Sequence, residues 1–283
     1  PQTIISTYLE FLAGQRQPLN EVKMILVGQG SVGKTSLVNR LLDGTFEPPD
    51  KTEGIAIRRW QLPLPQSTNL PISQPTNLPT SQSTDIRVNV WDFGGQEIMH
   101  ATHQFFLTRR TLYLLVLDAR LSEAENRLDY WLQIIRSFGG DSPVILVGNK
   151  VDQQPLDIDR GGIRDKYPSI KAIVKTSCAT GEGIDALQAA IAAQIPTLPH
   201  VFDELLATWF DVKAELEEMD ADYIPYDQYA HMCWEAGVTK ERSQRTLLGF
   251  LHDLGIVLHF PDPRLETTNI LNPEWVTQGV YRI

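Results

Sequence analysis

The chain has little of what would hold a secreted or membrane-bound protein together. Two cysteines, Cys178 and Cys233, in 283 residues cannot build a disulfide framework, so a reducing compartment is expected and the cytoplasm is the expected location. No apolar run approaches the ~20 residues that a membrane-spanning helix needs. Clustered cations are scarce as well. Residues 200–283 carry six Lys/Arg against fifteen Asp/Glu, whereas residues 1–199 are nearly balanced at nineteen against twenty. Binding a phosphate backbone requires clustered positive charge, so no nucleic-acid partner is expected. The chain opens at Pro1 with neither Met nor a signal-like segment, so a piece of a longer protein is expected.

What is present is an alternation of strand-like and helical runs. Strands read at Val22–Val27, Ile55–Leu62, Ile86–Asp92, Thr111–Ala119, Val144–Asn149 and Lys171–Thr176. Helices read at Lys34–Asp43, Glu97–Phe105, Glu123–Ser137, Asp157–Tyr167 and Gly183–Ile195. Such alternation predicts an α/β fold, a mostly parallel sheet of six strands with helices on both faces, and ligands at the carboxyl ends of its strands. Ahead of it, Ile4, Ile5, Tyr8, Leu9 and Leu12 have helical spacing, so residues 1–20 read as a linker helix broken by Gly14 and Pro18. Between two strands that can pair as a hairpin lies an uncharged octapeptide repeat, Gln66-Ser-Thr-Asn-Leu-Pro-Ile-Ser73 and Gln74-Pro-Thr-Asn-Leu-Pro-Thr-Ser81 with a partial third copy. Its composition cannot bury enough surface to offset ordering, so residues 66–84 read as a disordered insertion.

After Pro196–Pro199 the pattern changes. A long helix is expected over Val201–Met219, another over Tyr226–Glu235, and a third from an N-cap at Thr239 to Leu254, stopped by Gly255. Ile256–Phe260, a Pro261-Asp-Pro turn and Asn269–Leu271 read as a two-stranded wing, giving a mainly α winged-helix-like module. Lys240, Arg242 and Arg245 lie on its last helix, but the surrounding acidity favours packing over DNA binding. Trp209, Trp234 and Trp275 are expected in the core.

Chemistry concentrates first in Gly28-Gln-Gly-Ser-Val-Gly-Lys-Thr35, which fits G-x-x-x-x-G-K-[ST] between a strand and a helix. Gly28 and Gly33 permit a tight turn, and Gly30 permits close approach of the backbone. The loop from Gly28 through Ser31, Val32 and Gly33 to Ser36 would aim backbone N–H groups at a phosphate. Lys34 would reach the β- and γ-phosphates, and the Thr35 hydroxyl would ligate Mg²⁺. Thr52 lies in a loop after the first helix, where it could complete the Mg²⁺ site and sense the γ-phosphate. Asp92-Phe-Gly-Gly-Gln-Glu97 follows a strand: Asp92 would hold Mg²⁺ through water, the Gly95 N–H would meet the γ-phosphate and Gln96 would orient the attacking water.

Asn149-Lys-Val-Asp152 ends another strand. The Asp152 carboxylate can accept from both N1–H and the exocyclic amine of guanine, a pair of donors that adenine lacks, while Asn149 and Lys150 brace the loop. Ser177-Cys-Ala179 ends the last strand, with the Cys178 N–H placed for the guanine O6. Cys178 reads as a small buried residue, not a nucleophile. His100 and His103 sit three apart, but no third ligand completes a metal site.

Over Glu21–Ile195 these five stretches resemble those of Ras-like small GTPases. Trp91-Asp-Phe-Gly-Gly-Gln-Glu97, Phe105-Phe-Leu and Leu112-Tyr-Leu-Leu-Val-Leu-Asp118 are similar to the Ras-of-complex (Roc) domain of Roco proteins. Leu248-Gly-Phe-Leu-His-Asp-Leu-Gly255 and Ile270-Leu-Asn-Pro-Glu-Trp275 resemble the first half of the COR domain. The resemblance implies a Roc domain over residues 21–198 and the N-terminal half of a COR domain over residues 199–283. It also implies leucine-rich repeats upstream, the second COR half downstream and a nucleotide-dependent homodimer. Two functions fit. One is a switch that hydrolyses GTP slowly and relays its nucleotide state to the COR module. The other is a GTP/GDP-dependent scaffold with negligible hydrolysis. Arg58, Arg59, Arg109, Arg110 and Arg120 are the candidates for a catalytic arginine acting across a dimer.

Overall fold

The computed structural model describes residues 14–46, 54–64, 84–94, 106–198, 200–259 and 268–281. Outside the described residues lie the N-terminal helix, Thr52, the repeat up to residue 83, Gly95, Gln96, the Glu97–Phe105 helix with His100 and His103, and the wing turn.

A six-stranded sheet forms the centre, ordered β3-β4-β2-β5-β6-β7. Its strands are β2 (Glu21–Val27), β3 (Ile55–Leu64), β4 (Thr84–Phe93), β5 (Thr111–Asp118), β6 (Val144–Asn149) and β7 (Ile170–Lys175). Only β3 runs antiparallel, paired with β4 from Ile55↔Phe93 to Leu64↔Thr84. Every residue of β2, β5 and β6 is buried, because helices or other segments cover both faces. On one face α1 (Lys34–Asp43) and α4 (Ile184–Gln194) close over Val22, Met24, Leu26, Val88, Leu114 and Val147. On the other, α2 (Leu128–Gly139) covers Tyr113, Leu115 and Leu146, and a short α3 (Arg160–Lys166) adds Ile163.

The C-terminal part covers the rest of that second face. It is built from α5 (Ala207–Glu218), β9 (Tyr223–Pro225), α6 (Tyr226–Glu235), α7 (Glu241–Leu254), β10 (Leu258–His259), β11 (Thr268–Ile270) and α8 (Pro273–Tyr281). Val212, Leu216, Tyr229, Leu247, Leu248 and Leu251 form its own core. Leu258, Ile270 and Val276 instead join Ile25, Ile55, Trp91 and Phe93 of the main sheet. Lys23 lies where the module closes against this second face. Its buried amine donates to the Phe106 carbonyl at 2.8 Å and to Thr108 Oγ1 at 3.3 Å, and lies 4.4 Å from the Trp91 ring centroid. Gly255, at φ 76°, lets α7 end directly on this group: an added Cβ would lie 2.6 Å from Trp91 Cζ2.

Several elements depart from the sequence reading. The helix expected from Glu123 begins at Leu128, because the Asn126 amide holds Asp118 and the carbonyls of Leu121 and Ser122, which diverts residues 123–127 into turns. The helix expected from Asp157 begins at Arg160, capped by the Asp159 side chain on Gly162 N–H. The long Val201–Met219 helix starts at Ala207, since β8 (Glu204–Leu206) pairs antiparallel with β1 (Arg16–Pro18). Lys240, not Thr239, occupies the N-cap of α7, and its side chain does not cap the helix N–H groups. The wing has three strands, ordered β10-β11-β9, and is followed by α8, which the pattern did not disclose. Trp234 and Trp275 are 61% and 43% exposed instead of lying in the core. Trp234 lies on the outer side of α6, and Trp275 stacks near Tyr223 at a centroid distance of 6.0 Å.

Candidate functional site

The phosphate loop sits at the carboxyl end of β2, between that strand and α1. Gly28, at φ 142°, lies so close to the backbone of β5 that a Cβ there would overlap the Val116 carbonyl. Gly33, at φ 96°, leaves room for the Asn149 amide. Glycine is therefore needed at both positions for close approach as well as for backbone shape. Ser31 also has a left-handed backbone, with φ 64°, and Gly30 is exposed at the loop's crest. Val32 and Ser36 are buried beneath it.

Lys34 Nζ donates to the carbonyls of Gly28 at 3.0 Å and Gln29 at 2.9 Å, so the amine arches back over the loop. Burial brings its pKa down to about 8, against the opposing pull of Asp92. The Thr35 hydroxyl donates to Asp92 Oδ2, which brings together the two oxygen groups expected at a hard cation. This pair suits Mg²⁺, which takes few protein oxygens and keeps its remaining positions for water and phosphate. Among the described residues no group of three or more His, Cys, Asp or Glu could hold a metal.

The base motif is fastened to the phosphate loop. Asn149 Nδ2 donates to the Val32 carbonyl at 3.0 Å, and its Oδ1 accepts from the Cys178 N–H at 3.3 Å. Lys150 Nζ donates to the Ser31 carbonyl at 2.6 Å and to Asp118 Oδ2 at 2.7 Å. Asp152 stands at an exposed turn whose backbone is held on both sides, Val151 N–H on Thr176 O at 3.2 Å and Gln153 N–H on Lys150 O at 3.0 Å. Ser177 N–H donates to Glu182 O at 2.9 Å, and its hydroxyl accepts from Thr180 N–H at 3.1 Å. Arg40 ties this loop to α1 through the Ala179 carbonyl at 3.3 Å. Burial raises the Cys178 thiol to about 11, which keeps it unreactive.

The structure thus brings together Gly28–Ser36, Asp92, Asn149, Lys150, Asp152 and Ser177–Ala179 at one end of the sheet, while Thr52, Gly95 and Gln96 lie outside the described residues. Sequence reasoning missed Asp118. Burial would raise its carboxyl, but hydrogen bonds from Arg120 and Lys150 outweigh that and hold it down to about 2. The available signal was an acid ending an otherwise apolar strand, at the edge where ligands sit.

A family model described as "Ras of Complex, Roc, domain of DAPkinase" matches residues 23–152. A second, "C-terminal of Roc, COR-A domain", matches residues 207–283. A probable serine/threonine-protein kinase, pats1 of Dictyostelium discoideum, is 31% identical over 96% of this chain and 9% of its own length. A Roc-COR-CHAT protease of Runella zeae is 33% identical over 95% of this chain and 30% of its own length. The chain therefore spans less than a third of these curated relatives. Among solved structures, Methanosarcina barkeri Roco2 RocCORdC bound to GDP is 43% identical with a TM-score of 0.84, covering 97% of this chain and 80% of that one.

Proposed function

Because the chain belongs to the Roco family, with a Roc domain followed by a COR-A domain, we propose that it is a guanine-nucleotide switch whose Roc domain hydrolyses GTP to GDP and phosphate and relays the nucleotide state to the COR-A module. The observation that carries this reading is the lock between base and phosphate loops. Asn149 and Lys150 bond the carbonyls of Val32 and Ser31, so a group read by Asp152 is held in register with one bound at Lys34. The GDP in the similar Roco2 structure supports a guanine nucleotide as the ligand.

In this reading Lys34 turns from the carbonyls of Gly28 and Gln29 to the β- and γ-phosphates. Thr35, Asp92 and Thr52 hold Mg²⁺, which when bound neutralises charge developing on the phosphate oxygens. Gly95 donates its N–H to the γ-phosphate, and Gln96 orients water in line with it. Cys178 N–H, held only by a 3.3 Å bond, is free to serve O6. Turnover is slow without a partner, and three of the five candidate arginines are already engaged within the chain: Arg58 with Asp43 at 2.7 Å, Arg110 with Asp253 at 3.6 Å and Arg120 with Asp118 at 2.7 Å. A catalytic arginine supplied in trans contributes ~10³–10⁵ in rate. Upstream leucine-rich repeats, a downstream COR half, a nucleotide-dependent homodimer and a cytoplasmic location complete the proposal.

Single-turnover hydrolysis of GTP and XTP by wild type and Asp152→Asn tests it. Wild type should hydrolyse GTP and prefer it over XTP by at least ~100-fold, and the variant should reverse that preference because its amide can donate to the C2 carbonyl of xanthine. An unchanged preference removes the base assignment. Tight GTP binding with no hydrolysis in either protein leaves the scaffold function instead.

A further inference from the structure

We propose that Thr277, on helix α8 of the COR-A module, is a positioning residue for the Roc nucleotide site, acting on Gly54. The inference rests on the GTPase reading above and names the contact through which the module reaches the site.

Gly54 immediately precedes β3 with φ 76°, and a Cβ built there would lie 2.8 Å from Thr277 Oγ1 and 3.6 Å from Thr277 Cβ. The threonine is 1% exposed, so it is packed against the Roc sheet, not solvated. The carbonyl of Gly54 accepts from Gly94 N–H at 2.9 Å, one rung beyond the Ile55↔Phe93 pair. In the sequence Gly54 comes two residues after Thr52, and Gly94 comes two before Gln96. One backbone bond therefore spans the bases of the two stretches assigned to γ-phosphate sensing and to water orientation, and Thr277 bears on one end of it.

The helix that carries Thr277 is held firmly enough to act as a stop. The Asp222 carbonyl accepts from Leu271 N–H at 2.9 Å and Asn272 N–H at 3.1 Å, and Asn272 Nδ2 donates to Asp222 Oδ1 at 2.9 Å. Val276, next to Thr277, packs into the cluster of Ile55, Phe93, Leu258 and Ile270. The contact is selective because glycine leaves no side chain between the helix and the β3 backbone. Any shift of α8 reaches Gly54 through one short, β-branched side chain, which is stiff at χ1 and absorbs little of it. By reciprocity, a nucleotide that moves the Gly54–Gly94 pair must also change how well α8 seats.

The test uses the whole chain with fluorescent GDP and a fluorescent non-hydrolysable GTP analogue, in wild type, Thr277→Ala, Thr277→Ser and Thr277→Cys. Removing the γ atoms in Thr277→Ala should change the ratio of GTP-analogue to GDP affinity by ~5–10-fold, within the usual range for coupled sites, with GDP affinity within about twofold of wild type. Thr277→Ser keeps Oγ, the atom nearest Gly54, and should restore the wild-type ratio. Thr277→Cys has a longer bond to its γ atom and should shift the ratio by about threefold or more, which keeps the proposal testable if the alanine variant does not fold. An unchanged ratio in the alanine and cysteine proteins overturns this inference alone. Parallel loss of both affinities also overturns it, because a purely structural role predicts that result. Failure of the wild type to bind either guanine nucleotide overturns the inference together with the reading on which it rests.

Discussion

The two faces of the central sheet are closed in different ways. One is finished by two helices, α1 and α4, over an unbroken apolar layer. The other is covered, among the described residues, by α2 and by Leu258, Ile270 and Val276 of the C-terminal module. The second face also tolerates charge. Lys23 is buried beside Trp91, and at the start of β2 Glu21 accepts from Lys213 of α5 at 3.0 Å, while Arg87 adds a 3.2 Å ion pair to Glu21. The first face thus holds the domain together by hydrophobic burial. The second buries polar groups as well, paired partly within the sheet domain, Lys23 with Phe106 and Thr108, and partly across to the module, Glu21 with Lys213, so seating the module completes a network at the expense of some stability.

That contrast can be broken most directly by truncating one apolar side chain on each face. Leu37→Ala and Leu258→Ala both remove a fully buried side chain and should each cost about 2–5 kcal/mol. Leu37→Ala should lower the whole urea transition and weaken nucleotide binding with it. Leu258→Ala should leave nucleotide binding near wild type while the module becomes the first region cut in limited proteolysis. Identical proteolysis patterns for the two variants would mean that the faces are not distinct.

Lys23 gives the next largest effect. Burial lowers its pKa from 10.5 to about 7, and Asp253 pulls the other way. The charged form is therefore disfavoured in the fold: the stability penalty is complete below pH 7, and it lifts as pH rises from about 7 towards 10.5. Wild type should gain about 2–3 kcal/mol of unfolding free energy between pH 6.5 and pH 9, and Lys23→Met should lose that dependence. Arg110, Asp253 and His252 surround the site, so equilibrium urea unfolding at both pH values in both proteins isolates the lysine's share. A slope that survives in Lys23→Met would assign it to those neighbours.

The smallest effect lies in the segment between α4 and β8. His200 is buried, with no hydrogen-bond partner for either ring nitrogen among the described residues, and burial lowers its pKa from 6.5 to about 4. Its neutral form is the folded one, so stability is complete above pH 6.5 and is lost as pH falls through 4. At pH 5 wild type should be about 1–2 kcal/mol less stable than at pH 7.5, and His200→Leu should flatten that difference. Differential scanning at the two pH values checks it.

Much of this was legible in the sequence wherever structure is set locally. The phosphate loop is recognisable because its glycines and its lysine must stand at fixed spacing, and strands such as Leu112–Leu117 are apolar on both faces wherever they lie in the fold. The place of Asn149–Asp152 at the end of a strand beside the glycine loop was legible in the same way. What escaped was set by partners far along the chain. Nothing in Glu204–Leu206 announces a strand, because its partner Arg16–Pro18 lies nearly two hundred residues away. Helical spacing from Glu123 could not disclose that the Asn126 amide would hold the Asp118 backbone instead. Lys23 reads as an ordinary strand lysine until Phe106, Thr108 and Gly255 close around it. Asp118 was quoted in a motif, yet its grip on Lys150 appears only when β5 and β6 are side by side.

The short ladder between β1 and β8 has a mechanical consequence. A tensile load on the chain ahead of Arg16 divides at that ladder. Part runs straight through Leu19 into β2, and part crosses to the root of α5. Arg16 pairs with Leu206 at the end nearest the load, so the rungs are peeled one at a time and not sheared together. Peeling yields at low force, so tension frees the root of α5 early, while the covalent path through Leu19 goes on loading β2 and the sheet that carries the phosphate loop.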